Sequence, residues 1–259
     1  MEIKTLNHND VSSLVSLQPD GWQDITLNFN FYTKVPFCFP IKVIIEGEIV
    51  GVGAAIIHSD VAWLGHIIVH PAYRNNGIGN RITQALITIS MNNKCETIYL
   101  IATELGAPVY QKLGFITETE YLFFKDIIIA PALAISTNIE PYQKRFKRQI
   151  AIIDKLNSGE DRMFHLENYL KQGHQYCKNN TTEGYYMPTF GDGLIIANTV
   201  SAGIALLNLH LNTNDKVTFP KENQGAMDFL YGKGYKEART ARRMRFGKYT
   251  FSVSGECYM

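Results

Sequence analysis

Residues 69–79 read Val-His-Pro-Ala-Tyr-Arg-Asn-Asn-Gly-Ile-Gly, and the fold is read outward from them. Upstream, an apolar run at 61–69 has strand character and meets a turn at Pro71. Downstream, Ile78, Ile82, Leu86 and Ile89 recur at spacings of four and three, the period of an amphipathic helix. The first turn of a helix leaves N–H groups without internal partners and carries the positive end of the dipole. An anion placed there satisfies both. Gly77 and Gly79 remove side chains that would hold an anion away from the backbone. Strand, glycine-bearing turn and helix in this order predict a pyrophosphate cradle. No Gly-Lys-Ser/Thr follows, so it is not a nucleotide P-loop. Nor does it have the G-x-G-x-x-G of a dinucleotide fold.

Arg74-Asn75-Asn76-Gly77-Ile78-Gly79 fits Arg/Gln-x-x-Gly-x-Gly/Ala at every specified position. It resembles the acyl-coenzyme A signature of the GNAT superfamily of N-acetyltransferases. A second segment, Pro108-Val109-Tyr110-Gln111-Lys112-Leu113-Gly114-Phe115, resembles the short helix and turn near the end of GNAT domains. Element signals between and around them agree. Strands are expected at 3–6, 41–46, 49–57, 61–69, 97–102 and 115–125. Helices are expected at 9–17, capped by Asn9 or Asp10, at 24–35, from Ile78, and around Val109. The resemblance therefore covers nearly all of residues 1–126. It implies an α/β (α+β) chain with the GNAT fold, a mixed central sheet flanked by helices.

The chain has 259 residues, enough for about two domains at ~150 residues each. Residues 127–140, with Pro131, read as a connector. In 141–259, helices are expected at 142–157, 161–172, 199–211 and 222–231, and strands at 185–187, 193–197, 216–219 and 241–246. Phe229-Leu230-Tyr231-Gly232-Lys233-Gly234-Tyr235 can be laid over 109–115. The strand Leu194-Ile195-Ile196-Ala197 then matches the strand before the cradle. After it comes Asn198-Thr199-Val200-Ser201-Ala202-Gly203, without the phosphate glycines, and Leu230 stands where Tyr110 stands. This block resembles the degenerate C-terminal GNAT-like domain of two-domain bacterial acetyltransferases, and one coenzyme per chain is expected.

The resemblance assigns roles. Acetyl-CoA, as co-substrate, is expected along 68–80. Ile67, Ile68 and Val69 would hold the pantetheine and thioester on a strand splayed from its neighbour. Arg74, Asn75, Asn76, Gly77, Ile78, Gly79 and Asn80 would take the pyrophosphate. Tyr110 is the expected general acid, since a phenol stays protonated at neutral pH and can hydrogen-bond a departing sulfur. Many relatives place an acidic base on the strand before that tyrosine; here the position holds Ile101. Glu104 and His66 are the base candidates, with a water chain as a third option. No nucleophilic cysteine or serine is evident, so direct transfer in a ternary complex to a small-molecule or peptide amine is expected. The acceptor pocket is expected between residues 20–40, with Phe29, Phe31, Tyr32 and Phe37, and the second domain. The alternative is an acyl-CoA sensor or scaffold without turnover.

Composition narrows the rest. The chain is 46% hydrophobic and 19% charged with a net charge of +1, so neither nucleic acid nor a membrane surface is an expected partner. The run Arg239, Arg242, Arg243, Arg245, Lys248 reads as a solvated strand face. Cys38, Cys95, Cys177 and Cys257 are scattered, without zinc-ligand or disulfide spacing. His66 and His70 lack a third ligand, so no metal is expected. A reducing cytoplasm suits this cysteine usage. Residues 1–6 lack a signal-peptide core, and the apolar run 127–135 is too short to span a membrane. The sequence leaves the oligomeric state open.

Overall fold

The computed structural model describes residues 1–128 and 134–248, and the backbone of 257–258. Most of the apolar run 127–135 and the side chain of Cys257 lie outside the described residues. The chain forms two compact units. The first comprises Met1–Glu118 and the stretch that starts at Arg243; the second comprises Thr119–Arg242 with Cys257 and Tyr258.

In the first unit, β1 (Glu2–Thr5), β2 (Cys38–Ile45), β3 (Glu48–His58) and β4 (Val61–Val69) form an antiparallel series. β5 (Thr97–Ala102) joins β4 in parallel. The start of β6 (Ile116–Phe124) and the end of β12 (Arg239–Gly247) complete this sheet, in the order β1-β2-β3-β4-β5-β12-β6. On one face lies α2 (Ile78–Asn92), which buries Ile78, Ile82, Leu86 and Ile87 against Val43, Val50, Leu64 and Ile98. Its approach is close: a Cβ at Gly53 would come within 2.7 Å of Ile82, so the glycine lets helix and strand meet.

The second apolar cluster is built from the chain before β2. A helix is expected at 9–17, but residues His8–Leu17 form a 3-10 helix. The reason is visible in its packing: Val11, Leu14 and Leu17 are buried, a spacing of three that suits three residues per turn. Asn7 precedes it, and Asp10 accepts from the Asn7 N–H at 2.8 Å. α1 (Ile25–Tyr32) follows, capped by Asp24, whose carboxylate accepts from Thr26 N at 2.9 Å. Phe29 and Ile25 are fully enclosed there. α3 (Ala107–Lys112) closes the run of helices.

The basic run near the C-terminus is a solvated face only in part: Arg239, Arg242 and Lys248 are exposed, whereas Arg243 and Arg245 turn inward. Arg243 and Arg245 both bond the Glu118 carboxylate, at 2.9 and 2.6 Å. All three side chains are largely buried. Such a group must stay complete, because removing one partner leaves a buried uncompensated charge.

In the second unit, β11 (Val217–Pro220) pairs antiparallel with Tyr121–Phe124 of β6. A separate five-stranded sheet has the order β13-β10-β9-β8-β7. Its strands are β7 (Ile139–Pro141), β8 (His174–Lys178), β9 (Thr181–Met187), β10 (Leu194–Ala197) and β13 (Cys257–Tyr258). β7 and β8 escape sequence reading because they carry polar inward residues: Gln175 is wholly buried and donates to Glu140 at 3.0 Å. The helices are α4 (Lys147–Ser158), α5 (Met163–Leu166), α6 (Val200–Leu211) and α7 (Gln224–Gly232). The helix expected over 161–172 is only α5 plus a 3-10 turn at Leu170–Gln172. Near its start, Arg162 is tied into the core by Asp154, which also accepts from the Tyr185 hydroxyl at 2.5 Å.

Candidate active site

β4 and β5 pair only at Val61–Trp63 with Thr97–Tyr99. Beyond that, β4 continues to Val69 and β5 to Ala102 without mutual pairing. The two strands thus part inside the sheet. His70 N–H bonds Val50 O on β3, and backbone groups alternate sides along a strand. Val69 therefore faces the side from which β5 has departed. Its carbonyl accepts from Arg74 Nε there, at 3.2 Å.

The turn from β4 to α2 is built by local bonds. His70 Nδ1 accepts from Ala72 N at 3.3 Å, so this histidine fixes the turn. Asn75 and Gly77 have φ of +64° and +75°, the left-handed region where a side chain is costly. α2 then begins with Gly77 as its cap residue and no side-chain cap. The first helical bond is Arg81 N–H to Gly77 O at 3.1 Å. The N–H groups of Ile78, Gly79 and Asn80 have no partner among the described residues. An ideal Cβ at Gly77 would meet nothing within 4 Å, and one at Gly79 only Val69 at 3.8 Å. Gly77 is thus required by its backbone angle, while protein packing does not demand a glycine at 79.

Tyr110 stands on α3, its ring against Gly106, where a Cβ would approach Tyr110 to 2.8 Å. Phe115 meets it edge-on at 6.0 Å. Burial pushes its phenol up to about 12, so it stays protonated at any neutral pH. Its hydroxyl bonds no described residue. Of the base candidates, Glu104 is exposed in the turn before α3. It caps nothing: Thr103 Oγ1 accepts the Gly106 N–H at 3.2 Å instead. Ile101, at the end of β5, is 36% exposed.

His66 lies in a bulge of β4, with φ of +52°; register shifts between Val52 and Ala54 of the facing strand. Tyr32 OH is 3.0 Å from its Nδ1, and burial pulls the imidazole down to about 4. The sequence signals Tyr32 as an aromatic of the 24–35 helix. Its pairing with a residue 34 positions away is not visible there. Of the expected acceptor wall, Phe29 and Tyr32 belong to the core, while Phe31 and Phe37 are half-buried and touch at 6.2 Å. Among the described residues no group of three metal-ligating side chains converges, and no helix is long and apolar enough to cross a membrane. Cys38, Cys95 and Cys177 are free thiols.

Sheet and helices together are those of the GNAT fold, followed by a second GNAT-like domain. A protein of Pyrococcus horikoshii described as an acetyltransferase superposes with a TM-score of 0.83 at 21% identity, over 99% of this chain and 92% of its own. A tandem GNAT protein of the clavulanic acid biosynthesis pathway gives 0.65 at 12% identity, over 95% and 98%. These two establish the fold. Residues 6–115 match the Acetyltransferase (GNAT) family. A glucosamine 6-phosphate N-acetyltransferase of Trypanosoma brucei brucei is 34% identical over 135 residues, 44% of this chain and 88% of that protein. The chain belongs to the GNAT family of acetyltransferases.

Proposed function

We propose that the chain transfers an acetyl group from acetyl-CoA directly to an amine in a ternary complex. The observation that carries this reading is the open start of α2 beside the parting of β4 and β5. Free N–H groups of Ile78, Gly79 and Asn80, with Arg74, Asn75, Asn76 and Gly77, suit a pyrophosphate. The edge that β4 presents along Ile67, Ile68 and Val69 to the side β5 has left suits an amide-bearing pantetheine. In the transfer, the amine nitrogen bonds the thioester carbon and the C–S bond breaks. The amine loses one proton to solvent, and the sulfur, held by the Tyr110 hydroxyl as it departs, takes one through that hydroxyl, which regains it from solvent. A phenol raised by burial is a weak acid, so its part is to hydrogen-bond the sulfur as charge develops.

Residues 1–126 form the catalytic domain in this reading. Residues 127–140 link it to a degenerate GNAT-like block, 141–259, which serves structure and acceptor selection. The stretch from Arg243 packs with the first unit. The acceptor is a small-molecule or peptide amine. Because the curated relative is named for glucosamine 6-phosphate, amino sugars belong in the first screen. The test is amine-dependent release of free thiol from acetyl-CoA by the full chain. Coenzyme binding with no release for any amine would favour a sensor or scaffold instead.

A further inference from the structure

His66 gathers three unusual features at one place. Its backbone takes a positive φ of +52°, a region that few non-glycine residues occupy. Such strain tends to persist where surrounding structure enforces it, often at functional sites. Its ring lies in the cluster of aromatic residues from the α1 side, away from the face on which Gly53 receives α2. Three rings meet it edge-on, Tyr32 at 5.6 Å, Phe29 at 5.9 Å and Trp22 at 6.1 Å. Phe29 is fully enclosed, whereas Trp22 is 46% exposed. The imidazole thus sits at the transition from core to solvent.

The 3.0 Å contact between Tyr32 OH and Nδ1 fixes the ring's chemistry. A phenol O–H, with a pKa near 10, is a far stronger acid than a neutral imidazole N–H. An imidazole nitrogen is also a better acceptor than a phenol oxygen. Tyr32 therefore donates, Nδ1 accepts, and the ring's single proton resides on Nε2. Enclosure keeps the ring neutral, with its pKa pulled to about 4.

We propose that His66, oriented by Tyr32, presents Nε2–H as a neutral hydrogen-bond donor to an oxygen of the acyl acceptor. It does not serve as the base that deprotonates the amine. The acceptor class is then an amine that carries a carbonyl, hydroxyl or carboxylate oxygen close to its nitrogen. This rests on the acetyl-transfer reading. Tyr32 is a positioning residue: it acts through His66 and touches no reacting atom.

The first measurement needs no substrate. Long-range proton–nitrogen correlation of the imidazoles in the full chain, with His66→Gln to assign the signal, reports the tautomer. Nε2–H in the wild type, with partial conversion to the other tautomer in Tyr32→Phe, is the expected result. Nδ1–H in the wild type would overturn the proposal. Kinetics with an amine found active supply the second. His66→Leu should raise KM for the amine about tenfold, the scale of one lost hydrogen bond, with kcat and KM for acetyl-CoA little changed. His66→Gln, which keeps an N–H, should restore much of that loss. A fall in kcat of roughly a hundredfold in both variants, the scale of a lost acid–base group, would make His66 the base and end the proposal. If no amine is acetylated at all, the acetyl-transfer reading fails, and with it the acceptor role; the tautomer measurement still decides the Tyr32–His66 pairing.

Discussion

Two helices that follow strands of similar pattern, α2 and α6, begin in opposite chemical states. α2 starts at Gly77 with no side-chain cap, and the N–H groups of its first turn are unpartnered among the described residues. α6 starts at Thr199, whose Oγ1 accepts from Ala202 N at 3.2 Å. The same hydroxyl donates to the Glu183 carboxylate at 3.0 Å. The second helix start therefore has one first-turn N–H capped by its own chain and a carboxylate already beside it. A phosphate there would compete with Thr199 and be repelled by Glu183. The pair of tyrosine-type helices differs in the same direction. α3 carries Tyr110 and has no side-chain cap, while α7 carries Leu230 and is capped by Asn223, which accepts from Ala226 N at 3.0 Å. The lesson is that loss of a binding site can be read from what has replaced the ligand, as well as from missing glycines.

The strongest challenge to this contrast is Tyr110→Phe. Turnover should fall by roughly a hundredfold or more, with acetyl-CoA affinity unchanged by calorimetry. Wild-type kcat in the variant would reduce Tyr110 to a packing residue, like Leu230. Gly77→Val comes next. It forces a β-branched residue into φ of +75°, a strain of about 1–3 kcal/mol, so coenzyme affinity should drop at least tenfold. Unchanged affinity would remove the cradle. Titration of the wild type with acetyl-CoA should then give one site per chain, and two equivalent sites would erase the distinction between α2 and α6. On the other side, Thr199→Ala should lower unfolding stability by about 1 kcal/mol without altering coenzyme affinity; a gain of a second site would show that the cap alone blocks it.

The smallest effect concerns pH. His66 has its folded pKa pulled from 6.5 to about 4 by burial. An unfolded chain takes up this proton first, so the stabilising contribution is full above about pH 6.5 and fades as pH falls towards 4. His66→Gln should flatten that limb of a stability–pH curve between pH 7 and 4. His210, also lowered by burial but held at both nitrogens by Tyr186 and Lys216 O, should retain its share of the slope in that variant.

Much of this was legible in the sequence. The helix from Ile78 runs Ile78–Asn92 and the strand at 97–102 runs Thr97–Ala102, because both have strong periodicity and clear punctuation. Arg74 and Gly77 sit where a strand-to-helix turn puts them, since the constraint on them is local. What escaped depends on partners distant in sequence. The bulge at His66 follows from its register against β3, and its contact with Tyr32 crosses 34 residues. The 3-10 form of 8–17 turns on which side chains the sheet receives. Arg243 and Arg245 of β12 looked solvated because Glu118, far away in the chain, gives no sign of them.

That last pairing has a consequence for how the molecule is made. During synthesis, Glu118 and the free edge of β5 emerge well before Arg243 and Arg245, which follow 125 and 127 residues later. Until then the nascent first unit holds a carboxylate without its cations and a strand edge without its neighbour. Exposed edges of this kind recruit other chains, and domains otherwise tend to fold in order of synthesis. Here the first unit waits for β12. Premature termination between residues 126 and 239 should therefore release a fragment that aggregates, even though every residue of the cradle and Tyr110 has already been made.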